Sequence, residues 1–340
     1  MKLATYLPAG RREPRIGIYL EHAGGAYLVD AVRAYTQVLS QVDREPGAAA
    51  TATALITHDM KTLLAGGATA MAACQRSFDQ VRHWLGRGAG GVQQLLECGV
   101  LHGRGSVTLL APIPRPGKVV AIGANYRAHI EEGRDTGAIT ELPSYPPAFL
   151  KMSTAVVGSD QPIVYPGFGH ELDYEVELSM VVGRNCRDVA AEDWLDCVAG
   201  FTIVNDLSMR DVILAEKASG IVFAGKNFES ACPMGPFLVT RDEIADPGNL
   251  RIGLRVNGQV RQSDSTRSML FSCGQIFAYW SRLGLECGDV ITTGTPGGGA
   301  GFHRRFPERL LQVGDVVEAE IEGLGTLRNQ VVKADAHPRF

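Results

Sequence analysis

The spacing of turn residues after Lys118 constrains the fold more than any other feature of this sequence. Short apolar runs alternate there with Gly, Pro and Asp turns, and the long helical stretches of a βαβ fold are absent. The pattern predicts strands in KVVAIGANY, QPIVYP, LDYEVELSMVVG, AGFTIVND, LRIGLRVNG, DVITTGT, DVVEAEIEG and GTLRNQVV, and helices near 191–197 and 266–283. We therefore expect a mainly β domain of barrel or roll type.

The first 112 residues have a different pattern. Residues 15–30 indicate a β-hairpin that turns at Gly24-Gly25. Helical spacing of Ala, Leu and Gln follows at about 30–41, 57–66, 68–85 and 91–99. Three prolines in Ala111–Lys118 favour an interdomain linker, although a proline-rich segment leading into a strand of a single domain is the alternative. We expect a small α/β domain at 1–112 and a larger β domain with some α+β elements at 113–340.

Composition excludes several classes of protein. The 33 basic and 37 acidic side chains give a net charge of −4, so no overall field recruits nucleic acid or anionic membrane. No apolar run reaches the roughly 18 residues of a membrane span, and no signal-peptide pattern is present. The seven cysteines form no C-x-x-C pair, which is typical of reduced thiols in a cytoplasmic protein.

The segment His170–Gly183 carries the most unusual charge pattern. Because side chains alternate between the faces of a strand, Asp173, Glu175 and Glu177 share one face with Ser179. Such carboxylates, about 7 Å apart, raise one another's pKa unless a cation lies between them. All-oxygen ligands favour Mg²⁺ or Mn²⁺ over Zn²⁺. The alternative is a solvated edge strand with a polar outer face.

Asp206 is a further candidate acid, at the end of the apolar run FTIVND. It is also well placed for an Asx turn or a helix N-cap, and both interpretations remain open. Arg210 and Asp211 follow at the spacing of one helical turn, where they can form a local ion pair.

Two further residues are candidates for acid–base chemistry. His129 precedes Glu132 by three residues, a helical spacing that lets a carboxylate orient an imidazole for activation of water. A charged surface helix explains the same pattern. Lys226 lies among apolar and small residues in FAGKNFESACPMGP, which suits a partly desolvated ammonium facing an anion; a surface lysine is the alternative.

The segment Ile291–Gly301 (ITTGTPGGGAG) predicts a strand that ends in a glycine-rich loop. It is not a P-loop, because no Gly-Lys-Ser/Thr follows. Its backbone N–H groups and the Thr295 hydroxyl group are able to bind a carboxylate, and a plain turn is the alternative.

In their order along the chain, these segments resemble the fumarylacetoacetate hydrolase family over about residues 115–332. The resemblance rests on GANYRAH, FLKMSTAVVG, ELDYEVELSMVVG, IVNDLSMRD, FAGKNFESACPMGP, LRVNGQVRQ, VITTGTPGG and VGDVVEAEIEGLGTLRN. It implies a β-roll catalytic domain at 113–340, a Mg²⁺ (or Mn²⁺) cofactor and a homodimer.

The family's site residues map onto eight positions of this sequence. These are Glu175, Glu177 and Asp206 for the metal, His129, Glu132 and Lys226 for catalysis, and Arg210 and Thr295 for substrate binding. Two departures leave the substrate open. Ile213 stands where many members carry Gln, and Glu229-Ser230 replaces Asp-Thr in the lysine segment.

The resemblance implies hydrolysis of a 2,4-dioxo acid, such as an acylpyruvate or a fumarylpyruvate-like intermediate of aromatic catabolism, to pyruvate and a carboxylic acid. His129, oriented by Glu132, would deprotonate the attacking water, Lys226 would stabilise the oxyanion, and Ile130–Tyr145 would form a lid. The same site also suits an oxaloacetate decarboxylase or a 2-oxo-dienoate isomerase or hydratase. The alternative of another class is a non-catalytic metabolite-binding protein with a structural metal.

Overall fold

A computed structural model of the chain describes residues 1–86, 90–135, 141–301 and 308–334. The strands in this part of the chain are β1 (Lys2–Pro8), β2 (Arg15–His22), β3 (Gly25–Asp30), β4 (Leu101–Gly103), β5 (Val107–Leu109), β6 (Val119–Ile122), β7 (Ala148–Lys151), β8 (Val156–Val157), β9 (Ile163–Tyr165), β10 (Leu172–Asp173), β11 (Val176–Val182), β12 (Val198–Asn205), β13 (Ser208–Met209), β14 (Cys232–Thr240), β15 (Arg251–Val256), β16 (Gln259–Ser265), β17 (Val290–Thr292), β18 (Val316–Ile321) and β19 (Gly325–Lys333). The helices are α1 (Ala31–Gln37), α2 (Ala48–Leu55), α3 (Met60–Ala65), α4 (Gly67–Leu85), α5 (Gly90–Glu97), α6 (Arg127–Asp135), α7 (Arg210–Lys217) and α8 (Cys273–Ser281).

Two sheets build the core. The larger, twelve-stranded sheet has the order β4-β3-β2-β1-β14-β12-β11-β17-β6-β7, with β5 beside β1 and β8 beside β14. A five-stranded sheet, β16-β15-β18-β19-β9, packs through β15, β18 and β19 against β11, β12 and β14 at the centre of the larger one. Strands β11 and β14 of the larger sheet are buried along their whole length. The mainly β fold with additional helices is therefore confirmed.

The N-terminal segment is joined to the rest through the larger sheet. Strand β1 pairs with β14 in the register Leu3↔Leu238, and the N-terminal ammonium group forms an ion pair with Glu243 at 3.0 Å. Residues 111–118 form no regular element, and Ala111 and Ile113 among them are buried. The division at 112/113 stays a prediction, because a continuous sheet crosses it.

Most predicted elements form, with different boundaries. The hairpin at Gly24-Gly25 is β2–β3, and the four predicted N-terminal helices correspond to α1, α3, α4 and α5. The helix predicted at 266–283 begins only after Ser272, whose side chain forms a reciprocal capping box with Gln275. The one predicted at 191–197 is only a 3₁₀ turn, Trp194–Cys197. Helix α2 was not predicted, since its Ala/Thr sequence has no apolar periodicity.

The acidic segment was predicted as one strand and proves to be two. Strands β10 and β11 are separated at Tyr174-Glu175, where side chains take up two consecutive backbone N–H groups. Asp173 Oδ1 accepts from the Tyr174 amide at 2.8 Å, and Asn205 Oδ1 accepts from the Glu175 amide at 2.9 Å. The break lets β10 pair with β13 while β11 stays in the large sheet.

In the described ranges, none of the helices combines the length and the apolar character that crossing a membrane would need. The cytoplasmic location inferred from the cysteines stays a prediction.

Candidate metal centre

Three carboxylates predicted as metal ligands meet in the interior of the molecule. Glu175 lies at the break before β11, Glu177 lies on β11, and Asp206 directly follows the neighbouring strand β12. One oxygen atom from each lies within 4.8 Å of the other two. The three residues are at most 4% exposed, so the alternative of a solvated edge strand is wrong. Asp206 is drawn to Glu175 by the backbone, since its amide donates to the Glu175 carbonyl oxygen at 2.8 Å.

Three cationic side chains contact two of these carboxylates. Lys226 Nζ lies 2.6 Å from Glu175 Oε2 and 2.8 Å from Asp206 Oδ2. Lys151 Nζ lies 2.5 Å from Asp206 Oδ1, and Arg210 forms an ion pair with the other oxygen of Glu175. Lys226 is thus desolvated and faces anions, as its apolar surroundings predicted. These contacts fix the carboxylates in place.

Lys151 is a site residue that the sequence analysis missed. It is fully buried, and it also donates to the Lys226 carbonyl oxygen at 2.6 Å. The available signal was a single lysine inside the apolar run AFLKM. A lysine is almost never fully buried unless it is paired, and its partner Asp206 is 55 residues away in sequence.

The electrostatics of the two glutamates differ. Burial alone would raise the pKa of Glu175, but Arg210 and Lys226 outweigh burial and hold that pKa well below its usual range. Burial, Asp206 and Glu175 together raise the pKa of Glu177 well above its usual value. Among the described residues, no lysine or arginine forms an ion pair with Glu177; the Gly294 amide donates to it at 3.0 Å. Glu177 is therefore the carboxylate whose charge the protein leaves uncompensated.

The two residues of the predicted water-activating pair lie on α6. His129 is buried, and this burial, reinforced by Arg210 and Lys226 and opposed by Glu175, lowers its pKa to about 4. The imidazole is therefore neutral at pH 7 and able to accept a proton. Glu132 accepts from the Gly298 amide with both carboxylate oxygens at 3.0 Å, which ties α6 to the glycine-rich loop. The predicted lid extends through 136–140, which lie outside the described residues.

Asp173 connects this loop to the cationic side of the site. Its carboxylate accepts from the amides of Ala300 at 2.7 Å and Gly301 at 2.9 Å, and from Arg210 Nε at 2.8 Å. Arg210, the first residue of α7, bridges Asp173 and Glu175, so its ion pairs extend beyond the local one that its sequence position allows. The third acid of the acidic segment thus organises the loop and the arginine instead of joining the metal cluster.

Gln262, which holds Thr295, is a second site residue, after Lys151, that the sequence did not single out. Gln262 Nε2 donates to Thr295 Oγ1 and to the Pro296 carbonyl oxygen, both at 2.8 Å, while its Oε1 accepts from the Val176 amide at 3.0 Å. The buried amide therefore links the loop to the first residue of β11. Gly298 must be glycine here, because a Cβ atom would lie 2.2 Å from the Arg261 carbonyl oxygen and φ is +100°.

Replacing Asp173 by Asn is expected to lower the free energy of unfolding by about 2–4 kcal/mol, because it removes the negative charge that the loop amides and the half-buried Arg210 share. Urea unfolding followed by circular dichroism measures this change. Glu171→Gln, two residues earlier and partly exposed, is the matched control and should change it by less than about 0.5 kcal/mol. Equal stability of the Asp173 variant and the control would contradict the assigned role.

Comparison with known proteins identifies the class to which this site belongs. Residues 118–332 match the family described as Fumarylacetoacetate (FAA) hydrolase C-terminal. The oxaloacetate tautomerase fahd2, mitochondrial, of Xenopus laevis is 33% identical over 333 residues, covering 98% of this chain and 90% of that protein. The chain therefore belongs to the fumarylacetoacetate hydrolase family, whose members are enzymes that include hydrolases, isomerases and tautomerases.

Solved structures agree with this assignment. A fumarylacetoacetate hydrolase from psychrophilic Exiguobacterium antarcticum is 33% identical, with a TM-score of 0.68, over 98% of this chain and 100% of that one. A maleylpyruvate hydrolase from Sphingobium sp. SYK-6, solved in complex with manganese(II) ion and pyruvate, is 26% identical, with a TM-score of 0.65 and the same coverage. These similarities show the family and the fold, whereas the reaction of this chain depends on its own site.

Proposed function

We propose that this protein catalyses the keto–enol tautomerisation of oxaloacetate or a closely related 2-oxo acid. The observation that carries the proposal is a neutral, buried histidine within the electrostatic reach of a buried cluster of three carboxylates. The relative that spans nearly the whole chain is named an oxaloacetate tautomerase, which supports the same reaction. The small-molecule substrate is thus a 2-oxo acid, and we retain the homodimer as part of the proposal.

Glu175, Glu177 and Asp206 would hold a divalent cation, Mg²⁺ or Mn²⁺. Four buried carboxylates, including Asp173, stand against the three cations Lys151, Lys226 and Arg210, and the unmatched charge falls on Glu177. Hard oxygen donors with one uncompensated charge fit such a cation. When bound, the cation supplies Lewis acidity, which polarises the oxo group of the substrate and acidifies the neighbouring C–H bond.

His129 would transfer the proton. In the direction from keto to enol, the C3–H bond of the 2-oxo acid breaks, its electron pair forms the C2=C3 double bond, and the C2 oxygen gains a proton. One neutral imidazole that accepts the proton and then returns it is sufficient for this reaction. Lys226 and Lys151 hold the carboxylates in position, and Arg210 connects them to the glycine-rich loop.

Hydrolysis of a 2,4-dioxo acid is the second candidate. It is favoured by the H-x-x-E spacing of His129 and Glu132 and by the similarity to a maleylpyruvate hydrolase. Hydrolysis needs an activated water in addition to a proton acceptor, with Lys226 stabilising the resulting oxyanion. In this chain Glu132 accepts from the Gly298 amide, a contact that positions the loop, and tautomerisation is the simpler use of the site because it needs no activated water.

A direct assay separates the two reactions. Loss of enol-oxaloacetate is followed by its ultraviolet absorbance, and pyruvate release is measured from acylpyruvates, maleylpyruvate and oxaloacetate, each with EDTA and after Mg²⁺ is restored. We expect Mg²⁺-dependent acceleration of tautomerisation above the uncatalysed rate. Pyruvate release from a dioxo acid without such acceleration would overturn the proposal in favour of hydrolysis, and release from oxaloacetate alone would indicate decarboxylation.

Replacing Glu132 by Gln provides an independent test. We expect tautomerisation to fall by less than about tenfold, because the amide oxygen still accepts from Gly298 and no water needs activation. A hydrolase would lose about 100-fold or more in kcat on its dioxo acid. Glu131→Gln, at the exposed neighbouring position of α6, is the control for helix stability. A 100-fold loss of tautomerisation confined to the Glu132 variant would count against the assigned mechanism.

A further inference from the structure

The N-terminal segment contains a cavity of about 280 Å³ that is separate from the metal centre. It lies where the turn after β1 meets the end of α5 and the beginning of β4, and all its lining residues precede the family match at 118–332. A volume of this size, just below the roughly 300–1,000 Å³ of typical ligand pockets, limits an occupant to a small molecule.

The lining of this cavity is strongly cationic. Arg11, Arg15 and Arg33 line it together with a single acidic residue, Glu97. Asp30 lies beneath the surface and is fully buried, so it compensates part of this charge from the protein side. Three arginines converging on one concave surface are the recognition chemistry for carboxylate and phosphate groups.

Two of the arginines are held in place through only part of their hydrogen-bonding capacity. Arg15 Nη1 donates to Asp30 Oδ2 at 2.8 Å, and Arg33 Nη1 donates to the Cys98 carbonyl oxygen at 3.2 Å. Asp30 is itself fixed, because it also accepts from the Tyr6 hydroxyl group and from the Arg33 amide. A guanidinium group has five N–H donors, so most of those on Arg15 and Arg33 remain for a ligand. The arginines are therefore positioned in advance.

His102 closes the wall on the side of β4. Its ring packs against Tyr6, with the ring centroids 5.6 Å apart. Its Nε2 atom is shielded from solvent and has no hydrogen-bond partner among the described residues, so it lies behind the surface of the cavity. The charged groups that an occupant meets are therefore the three arginines and Glu97.

We propose that this cavity is a second ligand site, which binds a small oxyanion with two or more negative charges, either a polycarboxylate or a phosphate. Arg15 and Arg33 contact its oxygens from the fixed wall, and Arg11 closes over it from the exposed turn. The site lies on the sheet that contains the metal centre, because β1 pairs with β14 and β14 pairs with β12. It uses none of the residues assigned to the reaction and does not depend on the proposed function.

Isothermal titration calorimetry on the full chain tests the site. The protein is dialysed against EDTA and titrated at constant ionic strength with inorganic phosphate and, separately, with citrate. We expect saturable one-site binding of at least one of them, and the tighter of the two identifies the ligand as a phosphate or a polycarboxylate. If neither phosphate nor citrate binds saturably, the proposal is overturned.

Variants locate the binding. Arg11→Gln and Arg33→Gln should each weaken it by about tenfold or more, because each removes a charge-assisted hydrogen bond. Arg12→Gln is the matched control, because it removes the same charge from the same turn outside the cavity lining, and it should change affinity by less than about twofold. Arg11 is exposed, so its variant keeps the test valid if the Arg33 variant fails to fold. Equal weakening by Arg12→Gln, or loss of binding in Glu177→Gln, would overturn the assigned location.

Discussion

Replacing Glu177 by Gln is expected to reduce the metal-dependent activity at least about 100-fold while stabilising the protein in EDTA. The loss follows from the removal of a proposed metal ligand, which costs more than removing the residues that support such a ligand. The stabilisation follows from the raised pKa of Glu177, because burial and the carboxylates of Asp206 and Glu175 penalise its charged form. A neutral amide avoids this penalty and keeps an oxygen for the Gly294 amide, so we expect a gain of about 1–2 kcal/mol.

Two measurements on this variant check the two effects separately. Thermal unfolding in EDTA should show a higher Tm than the wild type, and added Mg²⁺ should raise the Tm of the wild type but not that of the variant. Ser179→Ala is the matched control, since Ser179 is the next residue on the same face and is fully buried but uncharged. An unchanged Mg²⁺ response in the Glu177 variant would contradict the metal site, whatever the activity.

Replacing His129 by Ala is expected to lower kcat for tautomerisation by about 10²–10⁴-fold, which is the usual contribution of a positioned general base. His129 is neutral in the fold because burial lowers its pKa, and it is not one of the three clustered ligands. The Mg²⁺-dependent rise in Tm should therefore persist in this variant. That combination separates a lost base from a lost metal site.

Steady-state kinetics on oxaloacetate and Mg²⁺ titrations of Tm measure the two quantities. Glu131→Ala, on the exposed side of α6, controls for disturbance of the helix. Full tautomerase activity in the His129 variant would remove this residue from the mechanism, and the same result with acylpyruvates would exclude it from the hydrolytic alternative.

Local patterns in the sequence predicted much of the carboxylate cluster in the candidate metal centre. Alternation along β11 and the polar end of β12 indicated Glu177 and Asp206, and these side chains do meet because the two strands pair. The same alternation wrongly placed Asp173 on one continuous strand with Glu175 and Glu177, whereas Asp173 lies on the separate strand β10. The break at Tyr174-Glu175 depends on Asn205, whose amide oxygen replaces a ladder partner, and no periodicity in the acidic segment contains that information.

Residues that act across the fold were harder to predict. Lys151, Gln262 and the loop-binding role of Asp173 depend on contacts between segments 33–127 residues apart. The residues next to each of them in sequence do not indicate which distant segment it contacts. Only their burial, together with the direction of their hydrogen bonds, identifies them as parts of the site. The arginine-lined cavity is of the same kind, since it brings together residues from β2, α1 and β4.

The sequence by itself determined the mainly β architecture, the order of the motifs and the oxygen-only character of the acidic cluster, because residue type and short-range spacing are local properties. The tertiary structure decided which acids cluster, which cations compensate them and which carboxylate keeps an uncompensated charge. This charge pattern depends on the distances between strands and on burial. Both change the energy of a buried charge far more than the residues next to it in sequence do. Glu175 and Glu177 illustrate the difference, since they are two residues apart in sequence and their pKa values shift in opposite directions.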